Sequence, residues 1–309
     1  MESEIRSQPQ ILSDHASSYL TDLNPLAGHD FELVLIAARG TSDNAALYAR
    51  YLIEVHLGIP VVLAAPSVIT RFGSKMRYPK CLAIGISQSG AAPDVAEVLS
   101  FMAQAGHTTV GITNTAGSRL TEVAQVPVLL RAGEEKAVAA TKTYTTSLLA
   151  LYQLVRTLGG DLADPAKDLP TEGWLERTHQ AAQEAMGPIV RQRILFALGR
   201  GYGFATAHET ALKLMECALL PAKAYSTADF QHGPKALAAH ESAAIVYGEV
   251  PEGLAEQGCI VVPAVAGPAS PLAPIHEIFF GQWLALLASR ARGLDPDQPR
   301  NLSKVTLTL

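Results

Sequence analysis

The second half of the sequence repeats the first. A shift of 161 positions lays Arg39-Gly40 on Arg200-Gly201, Pro60 on Pro221, and the apolar run Leu82–Ile86 on Ala243–Tyr247. So long a period means two copies of one domain rather than a solenoid. The 309 residues suit two domains at roughly 100–200 residues each. The register then breaks, and Thr108–Ile112 pairs best with Cys259–Pro263 at an offset of 151. The second copy is therefore shorter there and has no counterpart of Ser87-Gln88-Ser89-Gly90. A natural shortening and residues missing near 247–259 both fit.

Each copy alternates short apolar runs with longer helical patterns. Strands are expected at Phe31–Ala38, Val61–Ala65, Cys81–Ile86, Thr108–Thr113 and Val126–Leu130. Helices are expected at Asn44–His56, Asp94–Ala105 and Lys142–Leu158, broken by Gly159-Gly160. Further helices are expected at Gly173–Ala185 and Thr206–Leu219. Such alternation implies βαβ units, a parallel sheet and helices on both faces. The organisation read from this is a helical arm over 1–30, a first α/β domain over 31–160, a linker and helix over 161–190, and a second domain with a tail over 191–309. Val305–Leu309 reads as a final strand. The apolar stretch Ile278–Leu287 reads as a helix able to bury a face against a second subunit.

Composition narrows the function. At 48% hydrophobic and 17% charged residues the chain can build a large core and is not disordered. A net charge of −5 supplies no surplus to neutralise phosphate backbones, so nucleic acid is not an expected partner. There is no apolar run of about eighteen residues, hence no expected membrane span. The polar start MESEIRSQPQ is not a signal peptide. Three scattered cysteines, Cys81, Cys217 and Cys259, read as reduced thiols of a cytoplasmic protein. His208-Glu209 and His276-Glu277 are adjacent pairs that point to different helix faces, and no HExxH occurs. Neither a metal nor another cofactor is expected.

Ser87-Gln88-Ser89-Gly90 follows a buried strand and precedes a helix. In an open parallel sheet that is where ligands bind. Two hydroxyls, an amide and free N–H groups suit an anion, although an ordinary capped turn has the same residues. No lysine follows, so this is not an ATP-binding loop. Arg39-Gly40-Thr41-Ser42 is a second strand-to-helix turn that can add hydroxyls to the same crevice. Lys213 and Glu216 share a helix face at i,i+3, which is equally the spacing of a surface ion pair. His232 sits in the loop Gln231-His232-Gly233-Pro234. Lys304 ends the turn-rich stretch Asp295–Lys304, which is either a closing lid or a frayed tail. A glutamate, a histidine and two lysines are the parts needed to enolise a sugar.

Taken with Val138-Ala139-Ala140-Thr141-Lys142, Glu209–Glu216, His232-Gly233-Pro234 and Asp297–Lys304, these motifs resemble the SIS (sugar isomerase) family. The likeness is strongest to the isomerase portion of glutamine–fructose-6-phosphate aminotransferases, without a glutaminase domain. The resemblance implies two tandem SIS domains, each a doubly wound parallel sheet of five strands, and a homodimer with shared active sites. It implies Glu216 for proton transfer, His232 for ring opening (given by the neighbouring subunit), and Lys213 and Lys304 as the two cations. It places Thr41, Ser42, Ser87, Gln88, Ser89, Val138, Ala139 and Ser303 around the phosphorylated sugar. Ala92 and Ala140 stand where the family carries hydroxyls. The expected activity is a hexose or amino-hexose 6-phosphate isomerase of the glucosamine-6-phosphate deaminase type. The alternatives are a fructosamine-6-phosphate deglycase and a non-catalytic phosphosugar sensor.

Overall fold

The computed structural model describes residues 1–304, so the strand expected at 305–309 lies outside the described residues. Two compact units are present, neither of them continuous in sequence. The chain opens with helix α1 (Glu2–His15), whose first residues up to Gln10 belong with Glu135–Lys142 and Asp168–Lys304. The other unit comprises Ile11–Glu134 and Thr143–Lys167.

The N-terminal sheet lies in this latter unit. It consists of β1 (Leu33–Ala37), β2 (Val61–Leu63), β3 (Cys81–Ile86), β4 (Thr108–Thr113) and β5 (Val126–Leu129). Its order is β2-β1-β3-β4-β5, parallel throughout. Helices α2 (Thr41–His56), α3 (Pro93–Gln104) and α4 (Lys142–Thr157) accompany it. All six residues of β3 are buried, as a strand covered on both faces requires. Leu35 and Ala83 pack with Val95, Leu99 and Leu120 into one cluster. The chain leaves β1 toward β2 on one side while β3 pairs on the other. The strand order thus reverses between β1 and β3, which opens a crevice at their carboxyl ends. Thr41–Ser42 and Ser87–Gly90 follow those two ends.

The C-terminal sheet contains β6 (Ile194–Gly199), β7 (Ala222–Ser226), β8 (Ser242–Tyr247) and β9 (Ile260–Pro263). Its order, β7-β6-β8-β9, is that of β2-β1-β3-β4, so the same winding recurs. Among the described residues this sheet has four strands, where five were expected. Among the described residues no strand follows Pro263, and the chain enters helix α7 (Ala273–Ala291). Helices α5 (Glu172–Ile189) and α6 (Gly203–Ala218) pack against α7. Ile278, Phe279, Trp283 and Leu284 of α7 are fully buried within their own chain. The expected subunit-facing surface on Ile278–Leu287 is therefore corrected: a helix apolar on every side is a central core helix. The Trp174 indole N–H donates to the His276 carbonyl at 2.7 Å, locking α5 to α7.

Candidate active site

Helix α6 places Glu209, Lys213 and Glu216 on one face, because residues four and three apart stack on successive turns. Lys213 is wholly buried. Its Nζ lies 2.6 Å from Glu216 Oε2 and 3.3 Å from Glu209 Oε1. Burial opposes the lysine charge, but the carboxylates of Glu209 and Glu216 outweigh it and the pKa rises above the ordinary value. Lys213 is thus a fixed ammonium, not a free amine. Glu209 is completely buried, whereas the Glu216 side chain keeps 23% of its exposure. The pair is therefore one-sided: only Glu216 can meet a ligand.

Glu216 lines a cavity of about 240 Å³ with Cys217, Leu219, Gly293–Asp295 and Gln298–Arg300. Leu219 ends α6 in the left-handed conformation, with φ of +51°, a strained geometry for a branched side chain. Burial pushes the Cys217 thiol up to about 12, so it is no nucleophile at neutral pH.

Lys304 is held in the same unit. Its Nζ donates to the Ala137 carbonyl at 2.6 Å and lies 3.3 Å from Glu135 Oε2. Buried Glu135 also accepts the Thr141 N–H at 2.9 Å. The Val138 N–H donates to the Asp297 carbonyl at 3.2 Å, which brings Val138 and the Asp297–Lys304 stretch together. Ala139 is buried and Ser303 exposed. His232 is exposed and is not on the wall of the Glu216 cavity. Its backbone N–H donates to Asp229 O at 3.0 Å.

In the N-terminal-sheet unit, Ser87 is buried, and Gln88 and Ser89 are half-buried at the end of β3. The Ser87 N–H reaches Ile112 O at 3.1 Å, and the Gly90 N–H turns back to Ser87 O at 3.1 Å. Thr113 Oγ1 and the Asn114 N–H both donate to the Gln88 carbonyl. Gly90 has φ of +64°, and a Cβ there would lie 2.1 Å from Ser118 Oγ, so only glycine fits. Thr41 and Ser42 open α2 half-buried.

Sequence reasoning named Lys213 and Glu216 but assigned no role to Glu209, although its i,i+4 spacing to Lys213 was a usable signal. It also missed Glu135 as the counter-ion of Lys304. No group of three or more His, Cys, Asp or Glu residues suited to a metal occurs among the described residues. No described helix is long and apolar enough to cross a membrane.

Residues 32–156 match the SIS domain family model. That stretch is a SIS domain. It is 30% identical over 334 residues to a glutamine–fructose-6-phosphate aminotransferase (isomerizing) of Aquifex aeolicus, covering 97% of this chain and 56% of the relative. The same-named protein of Pyrobaculum aerophilum is 32% identical over 345 residues, covering 97% and 56%. The chain thus spans little more than half the length of these relatives. A crystal structure from Silicibacter pomeroyi DSS-3, provisionally named a phosphosugar isomerase, superposes with a TM-score of 0.80 at 29% identity, covering 96% of this chain and 98% of that one. The fold is also that of a glucosamine-6-phosphate deaminase from Thermotoga maritima, with a TM-score of 0.83 at 24% identity over 99% of each chain.

Proposed function

We propose that the protein is a phosphosugar isomerase that acts on an amino-hexose 6-phosphate, converting glucosamine 6-phosphate and water to fructose 6-phosphate and ammonia. The observation that carries this reading is the one-sided Glu209–Lys213–Glu216 cluster. A buried ammonium fixes one carboxylate, Glu216, at the wall of a cavity large enough for part of a sugar.

In this reading Ser87, Gln88 and Ser89, with Thr41 and Ser42, hold the phosphate. His232 moves the proton that opens the ring and comes from the partner of a homodimer. Its exposure and its absence from the Glu216 cavity favour that origin. Glu216 removes the proton from C2 of the open-chain aldehyde and returns it to C1. The electron pair of the C2–H bond passes through an enolamine, leaving a C2 imine. Water adds to that carbon and the C–N bond breaks, releasing ammonia. Lys213 does not form the imine, because its nitrogen is committed as an ammonium between two carboxylates. It fixes Glu216, and together with Lys304 it balances the charge that develops on oxygen. Val138, Ala139 and Ser303 line the sugar.

The test is a panel of glucosamine 6-phosphate, fructose 6-phosphate with ammonium, and fructoselysine 6-phosphate. Ammonia release from the first substrate is expected. Turnover of fructoselysine 6-phosphate alone moves the assignment to a deglycase. Binding of all three without turnover makes the protein a sensor and rejects the enzyme reading.

A further inference from the structure

Strands β1 and β3 pair in parallel from Leu33–Cys81 to Ala37–Gly85. Arg39, two residues past the end of β1, and Ser87, the first residue past β3, therefore both lie at the carboxyl ends of neighbouring strands. The Arg39 Nε donates to Asp94 Oδ2 at 2.7 Å, and Asp94 is the second residue of α3, just past the Ser87–Gly90 loop. Asp94 is 1% exposed while the Arg39 side chain is 54% exposed. The ion pair is therefore anchored at its acidic end and open at its basic end.

The start of α3 is a poor anion site without help. Pro93 has no N–H to give. The Val95 N–H is taken by Asp94 Oδ1 at 2.9 Å, and the N-cap residue Ala92 has no hydroxyl. Ser89 Oγ already accepts the Ala91 N–H at 3.3 Å. The Asp94 carboxylate also puts negative charge beneath the loop, and Asp43 lies near Arg39 as well. A phosphate dianion needs a cation here.

We infer that Arg39 is a further phosphate-binding residue of this loop, neutralising Asp94 through Nε and presenting the outer edge of its guanidinium to the ligand. A guanidinium held on one side by a carboxylate is pre-oriented for two charge-assisted bonds on the other. The inference rests on the reading that Ser87–Ser89 hold the phosphate, and the experiment separates the two. Affinities for fructose 6-phosphate, and for inorganic phosphate as its competitor, are measured by calorimetry on the wild type and on Arg39→Met, Arg39→Lys and Ser89→Ala, with folding checked by circular dichroism. Arg39→Met should weaken both ligands about ten- to a hundred-fold, with Arg39→Lys in between. Its affinity should also fall less steeply than the wild type's between about 0.05 and 0.5 M salt, because a screened charge has been removed. An Arg39→Met protein with wild-type affinity overturns the inference. So does one weakened with an unchanged salt slope, which would make Arg39 only a strut. If Ser89→Ala loses affinity while Arg39→Met does not, the loop reading stands and Arg39 falls. If neither loses affinity, both fall.

Discussion

Glu209 and Lys213 stand one helical turn apart with Oε1 and Nζ separated by 3.3 Å, and neither side chain meets solvent. Stranding a buried charge outright typically costs about 3–5 kcal/mol, but Lys213 keeps Glu216 at 2.6 Å when Glu209 is removed. Glu209→Ala should therefore lower stability by less than that full penalty, on the order of 1–3 kcal/mol. Glu209→Gln, which keeps shape and one acceptor, should cost less. Urea midpoints compared at equal m-values check the ranking.

Alkaline pH should unfold the protein earlier than neutral pH. Burial raises the thiols of Cys81 and Cys217 from 9.0 to about 11 and about 12. Lys213 is also raised: burial works against its charge, but the flanking carboxylates win. In each case the folded state holds its proton more tightly than the unfolded chain. The contribution is complete below the ordinary pKa and is lost as pH climbs through the folded value. Thermal melts should hold steady up to about pH 9 and fall progressively beyond it, and Cys217→Ala should flatten that fall. A Tm rising between pH 9 and 11 would contradict this.

Glu216→Gln keeps the side-chain shape and removes the proposed base. Turnover should drop on the order of 10²–10⁴-fold, with the protein still folded and its melt lowered, because buried Lys213 loses the nearer of its two carboxylates. Exchange of the C2 proton with deuterated water, followed by NMR, should be lost in parallel. Exchange at the wild-type rate would remove Glu216 from the proton path.

At Gly90 a methyl group meets both a positive φ and the Ser118 hydroxyl. Gly90→Ala should lower stability by about 1–3 kcal/mol and weaken phosphate binding, because the Ser87–Gly90 turn must open to relieve the clash. Chemical denaturation alongside a phosphate titration tests both effects. Gly28→Ala serves as a control, because it has a similar φ and no clashing neighbour.

Lys304→Met should cost most of kcat while phosphate affinity is kept, since Lys304 is bound to Glu135 and Ala137 rather than to the Ser87–Ser89 loop. Deleting Asn301–Leu309 should do the same. A truncated enzyme with near-normal kcat would dismiss both the lid and the lysine.

Mixing inactive Glu216→Gln and His232→Ala chains tests whether sites are shared. If His232 crosses a dimer interface, each mixed dimer has one intact site and activity returns. If it serves its own chain, the mixture stays inactive.

Most of the N-terminal sheet was legible in the sequence. Cys81–Ile86 and Thr108–Thr113 lie where their β-branched runs and flanking turns put them. The first strand shrank to Leu33–Ala37 because apolar content alone does not say where hydrogen bonding stops. The shared face of Lys213 and Glu216 followed from helical spacing, but their burial did not, since charged residue types point to the surface. The bond between Lys304 and Glu135 joins positions 169 apart, which no local periodicity reports. The apolar run Ile278–Leu287 suggested a subunit face because a sequence does not say whether an apolar helix is covered by its own chain or by another.

The unit that carries Glu216 and Lys304 is assembled from three separated stretches of chain, Met1–Gln10, Glu135–Lys142 and Asp168–Lys304. During synthesis the earliest of these must wait, unpartnered, until the last has been made. Its contacts are therefore of high sequence separation, which slows folding and lengthens the time that apolar surface stays exposed. A fragment cut at the start of that last stretch would also carry Lys304 without the Ala137 carbonyl and Glu135 carboxylate that hold it. Dissecting the protein into halves at the midpoint would thus separate the second lysine from its anchors, and a circular permutant that rejoins the three stretches more closely should refold faster.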